Sequence, residues 1–489
     1  MAYLKDLLKQ VTYICTRGTM DCKVTHICHD SRQVVRGSMF ICLAGSREDG
    51  HDYLAQAIRK GAAVCVVSKH VWVEGDVTVI RVRNTSEAMA WIARNYYGAP
   101  AEAMQMIGIT GTKGKTTTAC MLYQMLKEAG VKCGLIGTLG VRRSDGLKKP
   151  GSNTTPDALV LQKELREMAD AGCSCCVMEV SSQGLKMHRV AGIVFDYGIF
   201  TNLSPDHIGP NEHASFEEYQ ECKSLLFRQC KEGIVNADDE HVDGIIKNHT
   251  CKLHTFSCKK DADLMAGAVG YLDEEGQIGM HFTTTGCMNV YAVVHIPGSF
   301  SVYNSLVTML TCHLAGISDE AILWGLDKVK VRGRVELVPV SKDFTVIIDY
   351  AHNEVSTRSV LTTLKEYHPK RLICVYGGGG NRSKLRRYDM GEVTGELADL
   401  SVLTCDNPRD EEIRDINNDI KIGLAKSNGK YIEIDDRKAA IKYCIENARK
   451  GDMIVLLGKG HEDYQEIKGV KYHFDEREAI AEIKKELNL

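Results

Sequence analysis

The chain has 489 residues, 44% of them hydrophobic and 26% charged, with a formal net charge of −3; this is the balance of an ordinary globular protein, long enough for about three domains of roughly 150 residues each. The near-neutral charge excludes nucleic acid as an expected partner, and no apolar run reaches the roughly 18 residues that a membrane span requires. The opening "MAYLKDLLKQVTY" lacks the apolar centre of a secretory signal, and many of the nineteen cysteines lie inside apolar runs ("AAVCVVS", "CSCCVMEV", "LICVYG"), so reduced buried thiols and a cytoplasmic location are expected, not disulfides or zinc.

Over the first hundred residues the pattern predicts a strand at "GSMFICLAG", a helix at "HDYLAQAIRKGA" ending on Gly61, a strand at "AVCVVS" and a helix at "TSEAMAWIARNYYG". Gly98 and Pro100 then mark a boundary. From Met104 the grammar becomes strand, loop, helix. "MQMIGIT" is followed by a helix over 116–129, then come "CGLIGT", the helix "PDALVLQKELREMADAG" and the strands "CSCCVMEV", "VFDYGIFTN" and "EGIVNA". Such alternation implies a parallel sheet with helices on both faces. Past "KVKVRGRVELV" the pattern restarts with strands "FTVIIDY", "RLICVYG", "LSVLTC", "KYIEI" and "MIVLLG", which read as a further doubly wound domain. The expected fold is α/β in three domains: an N-terminal α/β domain over 1–100, a central P-loop parallel-sheet domain over 101–331 and a C-terminal Rossmann-like domain over 332–489.

"MIGITGTKGKTTTA" places a glycine-rich turn between a strand and a helix. Backbone N–H groups of Gly111, Thr112, Lys113 and Gly114 and the helix start at Lys115, Thr116 and Thr117 suit a nucleotide's phosphates, with Lys115 as the cation and the Thr116 hydroxyl for magnesium. The stretch departs from the general P-loop pattern, with Ile109 where glycine is wanted and glycine at 108 and 111; the alternative is an accidental glycine turn. A magnesium nucleotide also needs carboxylates. Glu179 ends the strand "CCVMEV", and Asn202, Asp206 and His207 follow the next strand, all at carboxyl ends where open parallel sheets bind ligands. Taken alone, Glu179 is a surface acid and His207 reads equally as structural or functional; beside a P-loop, Glu179 becomes a metal-ligand candidate.

The motifs "GTKGKTTT", "MEVSSQGL", "FTNLSPDH" and "DYAH" resemble the Mur ligases, ATP-dependent amide-forming enzymes of peptidoglycan synthesis. The resemblance runs nearly end to end. "HDSRQVVRGSMFICLAGSREDGHDY", "SNTTPDA", "IPGSFSVYNSL", "RGRVE", "DNPR" and "GKGHEDYQ" are similar to the branch that adds a diamino acid, diaminopimelate, to UDP-N-acetylmuramoyl-L-alanyl-D-glutamate. It implies ATP and Mg2+ as cofactors, a uridine-nucleotide role for the N-terminal domain, and an acyl phosphate formed when a D-glutamyl carboxylate attacks the γ-phosphate. It implies that Lys115, Glu179, His207 and Lys223 are catalytic. Thr116, Glu179 and Lys223 would hold metal, Lys223 after conversion to a carbamate; by its sequence alone Lys223 is an ordinary helix-surface lysine. It assigns Asn304, Arg334 and Asp349 to ATP. Ser31, Thr154, Thr155, Ser181 and Arg189 are assigned to the UDP-sugar peptide, although "NTTP" also reads simply as a helix cap before Pro156. The chain is expected to act as a monomer.

In the last domain four strands run into polar loops: Asp349 and His352 after "IIDY", four glycines and Arg382 after "CVYG", Asp406–Arg409 after "VLTC", and Gly458, Lys459, His461 and Glu462 after "IVLLG". Two arginines and at least two acids suit a zwitterion with an extra charged end. By resemblance Arg382, Asp406, Asn407, Pro408, Arg409, Gly458 and Glu462 contact the amino acid, and Arg409 separates diaminopimelate from lysine; the alternative for Arg409 is a surface arginine after a proline turn. The chain departs from the family's pattern at Gln183, Met187, "IGPNEHASF", Glu354, Asn381 and Ser383. Three alternatives stay open: lysine, ornithine or lanthionine as the amino acid, a related amide ligase such as a folate or polyglutamate ligase, and a non-catalytic nucleotide-binding paralogue.

Overall fold

The computed structural model describes residues 2–45, 48–149, 151, 153–206, 208–209, 212–274 and 277–489. They form two compact units, Met1–Met265 with Leu306–Ile322, and Ala266–Ser305 with Leu323–Leu489. No helix among the described residues is long and apolar enough to cross a membrane.

The first unit holds two main sheets. Its N-terminal sheet has the order Tyr13–Arg17, Thr78–Val82, Val64–Val67, Ser38–Ile41, His26–Cys28, antiparallel at the first pair and parallel thereafter. The helix Thr85–Tyr96 starts where Asn84 Oδ1 accepts from the N–H groups of Ser86 and Glu87. Its Ala88, Met89, Ile92 and Ala93 enter a core that also takes Ala158 from the next sheet's helix, so the N-terminal layer is packed onto the central one.

In the central sheet, Cys133–Gly137, Cys175–Glu179, Gln105–Thr110, Phe195–Phe200, Cys230–Asn236 and Lys252–Ser257 run parallel in that order. This is the sheet expected from the strand–helix alternation. Residues paired in register reach the carboxyl edge together: Glu179 lies opposite Ile109, and Phe200 opposite Thr110. Alternate residues Met106, Ile136, Cys176 and Met178 share a core with Leu161, Leu165 and Met168 of the helix Ala158–Asp170, as a two-residue side-chain period dictates.

The second unit contains a sheet of order Glu336–Val338, Thr345–Asp349, Asp452–Leu457, Arg371–Tyr376, Leu400–Leu403, Tyr431–Glu433, parallel after its first pair. Consecutive residues feed opposite cores. Ile347, Cys374, Leu403, Val455 and Leu457 pack with Leu361, Leu364, Ile420 and Leu424, whereas Val346, Ile348, Ile373, Ile454 and Leu456 pack with Ile441, Ile480 and Ile483. Strands buried on both faces read as continuous apolar runs, which is why they were visible in the sequence.

The hairpins not anticipated include Gln277–Gly286 with Tyr291–Val294, and Tyr464–Ile467 with Val470–His473. The second has exposed or half-exposed residues throughout. Its turn is Lys468–Gly469, both at positive φ (51° and 76°), a two-residue connection that sequence patterns flag by Asn-Gly or Asp-Gly.

Leu456 is fully buried in the middle of the second unit's sheet. Leu456→Ala is expected to lower that unit's stability by about 2–5 kcal/mol, measured as a reduced urea midpoint for its transition.

Candidate active site

The helix Lys115–Glu128 begins at Gly114, φ +86°, with no side-chain cap, and a helix start is where backbone N–H groups favour an anion. Gly111 allows the turn to lie against the neighbouring strand end: a Cβ there would fall 2.0 Å from Thr201 Oγ1. The loop after that strand laces the turn in place. Asn202 O accepts from Thr112 N at 2.8 Å, Asn202 Oδ1 from Lys113 N at 3.0 Å, and Lys113 O accepts from Thr201 Oγ1 at 2.7 Å. Lys115 Nζ reaches back to the carbonyls of Gly111 and Thr112 at 2.7 and 3.0 Å. A flexible ammonium folded over its own loop is positioned to turn toward a phosphate.

Glu179 is not a surface acid. Its residue is 2% exposed, and its carboxylate accepts from Thr116 Oγ1 at 2.9 Å, from Thr138 N at 2.8 Å and from Thr138 Oγ1 at 3.3 Å. Lys223, which the sequence alone leaves on a helix surface, is 1% exposed. Its Nζ donates to Gly111 O at 2.8 Å and lies 4.4 Å from the centre of the Tyr219 ring. Burial, and then the charge of Lys115, hold the Lys223 ammonium well below the ordinary lysine range. His207 lies outside the described residues.

A chain of hydroxyls continues from Glu179. Thr138 Oγ1 meets Thr154 Oγ1 at 3.1 Å, Thr155 Oγ1 donates to Glu179 O at 3.0 Å, and Ser181 N donates to Thr155 Oγ1 at 2.9 Å. Ser181 also caps the helix Ser182–Lys186 through Gly184 N. Arg189 Nη1 donates to Thr155 O at 2.8 Å. The structure therefore brings Thr116, Thr154, Thr155, Glu179, Ser181 and Arg189 into one connected group. Ser31 sits in the N-terminal sheet region, donating to Gln56 Oε1 at 3.0 Å, and has no bond to that group.

In the second unit Asp349 ends its strand and folds back onto "RGRVE", accepting from Val335 N at 2.8 Å and Ala351 N at 2.7 Å. Burial pushes its carboxyl above the usual range, opposed by the charge of Arg334. Arg334 stands over the Tyr350 ring, and Asn304 is buried in the helix Ser299–Leu314. His461 packs on Tyr350 and is pushed down to about 4 by burial and by Arg334, Arg332 and Arg477, so it is neutral near pH 7.

The amino-acid loops named from sequence do meet. Gly380 N donates to Asn407 O at 2.9 Å, and a Cβ on Gly380 would fall 1.8 Å from Pro408 O, so the glycine turn and "DNPR" are in contact. Asn407 Nδ2 donates to Glu462 Oε2 at 2.9 Å. Lys459, fully buried, donates to Asp406 Oδ1, Asn407 Oδ1 and Glu462 Oε2 at 3.2 to 3.4 Å. Behind them the buried Arg437–Glu476 pair sends guanidinium N–H groups to Cys405 O and Leu457 O, the carbonyls just ahead of Asp406 and Gly458. Arg382 is exposed; Arg387, five residues on, is buried against Glu411, Asp419 and Gly379 O. The departure at Asn381 is accommodated. Asn381 has φ +55°, and its Nδ2 donates to Asp410 Oδ2 at 2.6 Å, a contact that an aspartate at 381 would make as a like-charge pair.

Thr138, Tyr219 and Arg437 escaped the sequence reading. So did His213, buried with Nε2 2.9 Å from Ser182 Oγ. Lys459 was named from its loop in the sequence, but not its burial among Asp406, Asn407 and Glu462.

Family models match three stretches: the Mur ligase family catalytic domain over 23–97, the Mur ligase middle domain over 109–312, and the Mur ligase glutamate ligase domain over 333–460. A UDP-N-acetylmuramoyl-L-alanyl-D-glutamate–2,6-diaminopimelate ligase of Clostridium tetani is 41% identical over 490 residues, covering 99% of both chains. The enzyme of the same name from Clostridium perfringens is 39% identical, covering 98% of this chain and 99% of its own. A solved structure of a ligase of that name superposes with a TM-score of 0.71 at 29% identity, covering 95% of this chain and 96% of its own. A MurF ligase from Thermotoga maritima in complex with ADP has the same fold, with a TM-score of 0.61 at 19% identity over 95% of this chain and 98% of its own.

Arg387, led by its hydrogen bonds, holds the Glu411 carboxyl down to about 2. The pairing therefore stabilises the glycine loop fully above about pH 4.5 and is lost as pH falls toward 2. Glu411→Gln is expected to cost about 1 kcal/mol at pH 7, since the carboxylate is still partly in water. The gap from wild type should narrow steadily below pH 4.5 in urea titrations run at a series of pH values.

Proposed function

Because the chain belongs to the Mur ligase family, we propose that it is the ligase that spends ATP to join diaminopimelate to a D-glutamyl carboxylate of UDP-N-acetylmuramoyl-L-alanyl-D-glutamate, in cytoplasmic peptidoglycan precursor synthesis. The observation that supports the choice of amino acid is that the loop Asp406–Arg409 is tied at Arg409 to the glycine turn through Gly380 O and at Asn407 to Glu462, which gathers an arginine and two acids in one set of loops. Arginine serves carboxylates and the acids serve ammonium groups. Residues 1–100 are assigned to the uridine nucleotide, 101–331 to ATP and 332–489 to the incoming amino acid.

The phosphates of ATP are received by the N–H groups of Gly111–Thr117 and by Lys115, with Asn304, Arg334 and Asp349 serving the rest of the nucleotide. Thr154, Thr155, Ser181 and Arg189, together with Ser31, orient the UDP-sugar peptide so that its carboxylate oxygen meets the γ-phosphorus. That P–O bond forms as the bond to the β-phosphate oxygen breaks, giving acyl phosphate and ADP. The amine of diaminopimelate, once neutral, attacks the acyl carbon; phosphate leaves and a proton is released. His461, neutral near pH 7, adds no cationic charge beside Arg334.

Thr116 Oγ1 and Glu179 Oε2, 2.9 Å apart at a helix start, are hard oxygen donors that fit Mg2+. When bound, the metal neutralises charge on the transferring phosphoryl group. Lys223 fits the carbamate role: a buried amine whose proton is held weakly is the form that adds CO2, and the resulting anion supplies oxygen donors near the loop.

Purified protein should release phosphate from ATP only when both UDP-muramoyl-dipeptide and diaminopimelate are present. One missing charge-assisted hydrogen bond should make lysine about 10- to 100-fold poorer in kcat/KM. Equal turnover with lysine, ornithine or lanthionine would overturn the amino-acid assignment and leave the reaction class standing. Lys115→Ala should remove phosphate release while leaving the thermal unfolding profile in place.

A further inference from the structure

The guanidinium assigned above to the second carboxylate of diaminopimelate already holds an acid of its own chain. Arg409 Nε donates to Glu466 Oε2 at 3.1 Å, and Nη1 donates to Gly380 O at 2.7 Å. Among the described residues, Nη2 has no hydrogen-bond partner. Both side chains are partly open, 23% exposed for Arg409 and 26% for Glu466, so a solute can reach the pair. The backbone fixes the encounter as well. Arg409 N donates to Glu466 O at 3.0 Å, Lys468 N to Arg409 O at 2.7 Å, and Glu466 N to Asn407 Oδ1 at 2.9 Å. Arg409 and Ile467 form a parallel bridge, and Arg409 takes φ +49°, a conformation that an L residue adopts at some cost and that these bonds enforce.

We propose that Glu466 is a specificity-determining residue that sets how strongly Arg409 holds the substrate's second carboxylate. This rests on the reading of Arg409 given above. Glu466 occupies the Nε edge, so an incoming carboxylate is denied the side-on fork that pairs Nε with Nη2. The Glu466 charge also stands beside that incoming anion and weakens its attraction to Arg409. A substrate with an ammonium but no second carboxylate, such as lysine, meets neither effect. Glu466 thus holds the guanidinium in a fixed direction and at the same time limits its affinity, so the residue opposes the second carboxylate of diaminopimelate and exerts no such repulsion on lysine.

Two substitutions separate direction from charge. Glu466→Gln keeps a carbonyl oxygen for Arg409 Nε and removes the charge. It should lower KM for diaminopimelate about three- to tenfold with kcat unchanged, fail to lower KM for lysine, and lose most of this gain in about 0.5 M salt. Glu466→Ala removes the acceptor too and should raise KM for diaminopimelate relative to Glu466→Gln. Thermal melts of both variants check that the fold is kept. If wild type prefers diaminopimelate but Glu466→Gln shifts KM for diaminopimelate and lysine together, or shifts neither, the role of Glu466 is overturned and the reading of the site stands. If wild type shows no preference for diaminopimelate over lysine, the reading of Arg409 fails, and the role of Glu466 falls with it.

Discussion

Much of the first unit depends on where one carboxylate is held. Glu179 is buried at the end of a central strand and satisfies a hydroxyl at the P-loop helix start, a backbone N–H after the adjacent strand and a second hydroxyl beside it. Its own carbonyl is taken by Thr155. A buried carboxylate without donors is expensive, so three loops are drawn toward it, and they are the loops that carry the phosphate, metal and peptide-binding candidates. Parallel register makes this possible, because strands that end side by side deliver their loops to a common edge.

The second unit solves the same problem with a buried cation. Arg437 and Glu476 are both fully enclosed, and the guanidinium bonds to Cys405 O and Leu457 O. Those carbonyls lie where the strand ladder stops, and the guanidinium supplies them with donors in the interior. One step farther along each strand stand Asp406 and Gly458, and the buried Lys459 then ties Asp406 to Asn407 and Glu462. The acidic end of the amino-acid loops is therefore preorganised from behind by one cation and balanced from within by another.

The legible parts of the molecule were those in which a local pattern carries the physics. Apolar strands buried on both faces, a glycine-lysine-threonine turn and acids at strand ends all announce themselves within a few residues. Lys223 did not. Its helix looks solvated in sequence, and its burial comes from packing against Tyr219 and the Gly111 turn, more than a hundred residues away along the chain. The Tyr464–His473 hairpin was missed because its alternation is weak and its turn is Lys-Gly. Glu466 was invisible for the same reason, since its meaning arises only once the hairpin lies against "DNPR". Asn381 was visible as a departure from the family's pattern, but its reason, the facing Asp410, was not.

The parallel bridge between Arg409 and Ile467 makes "DNPR" in effect a third strand of that hairpin. Under the proposed role of Arg409, substrate preference is therefore not the property of a linear segment. The loop after one strand and the hairpin after another, separated in sequence by two strands and two helices, act as one piece of architecture. A tetrapeptide transplanted between relatives without its hairpin would carry the arginine but not the geometry that aims it, so divergence of amino-acid choice along such a lineage would have to move both segments in step.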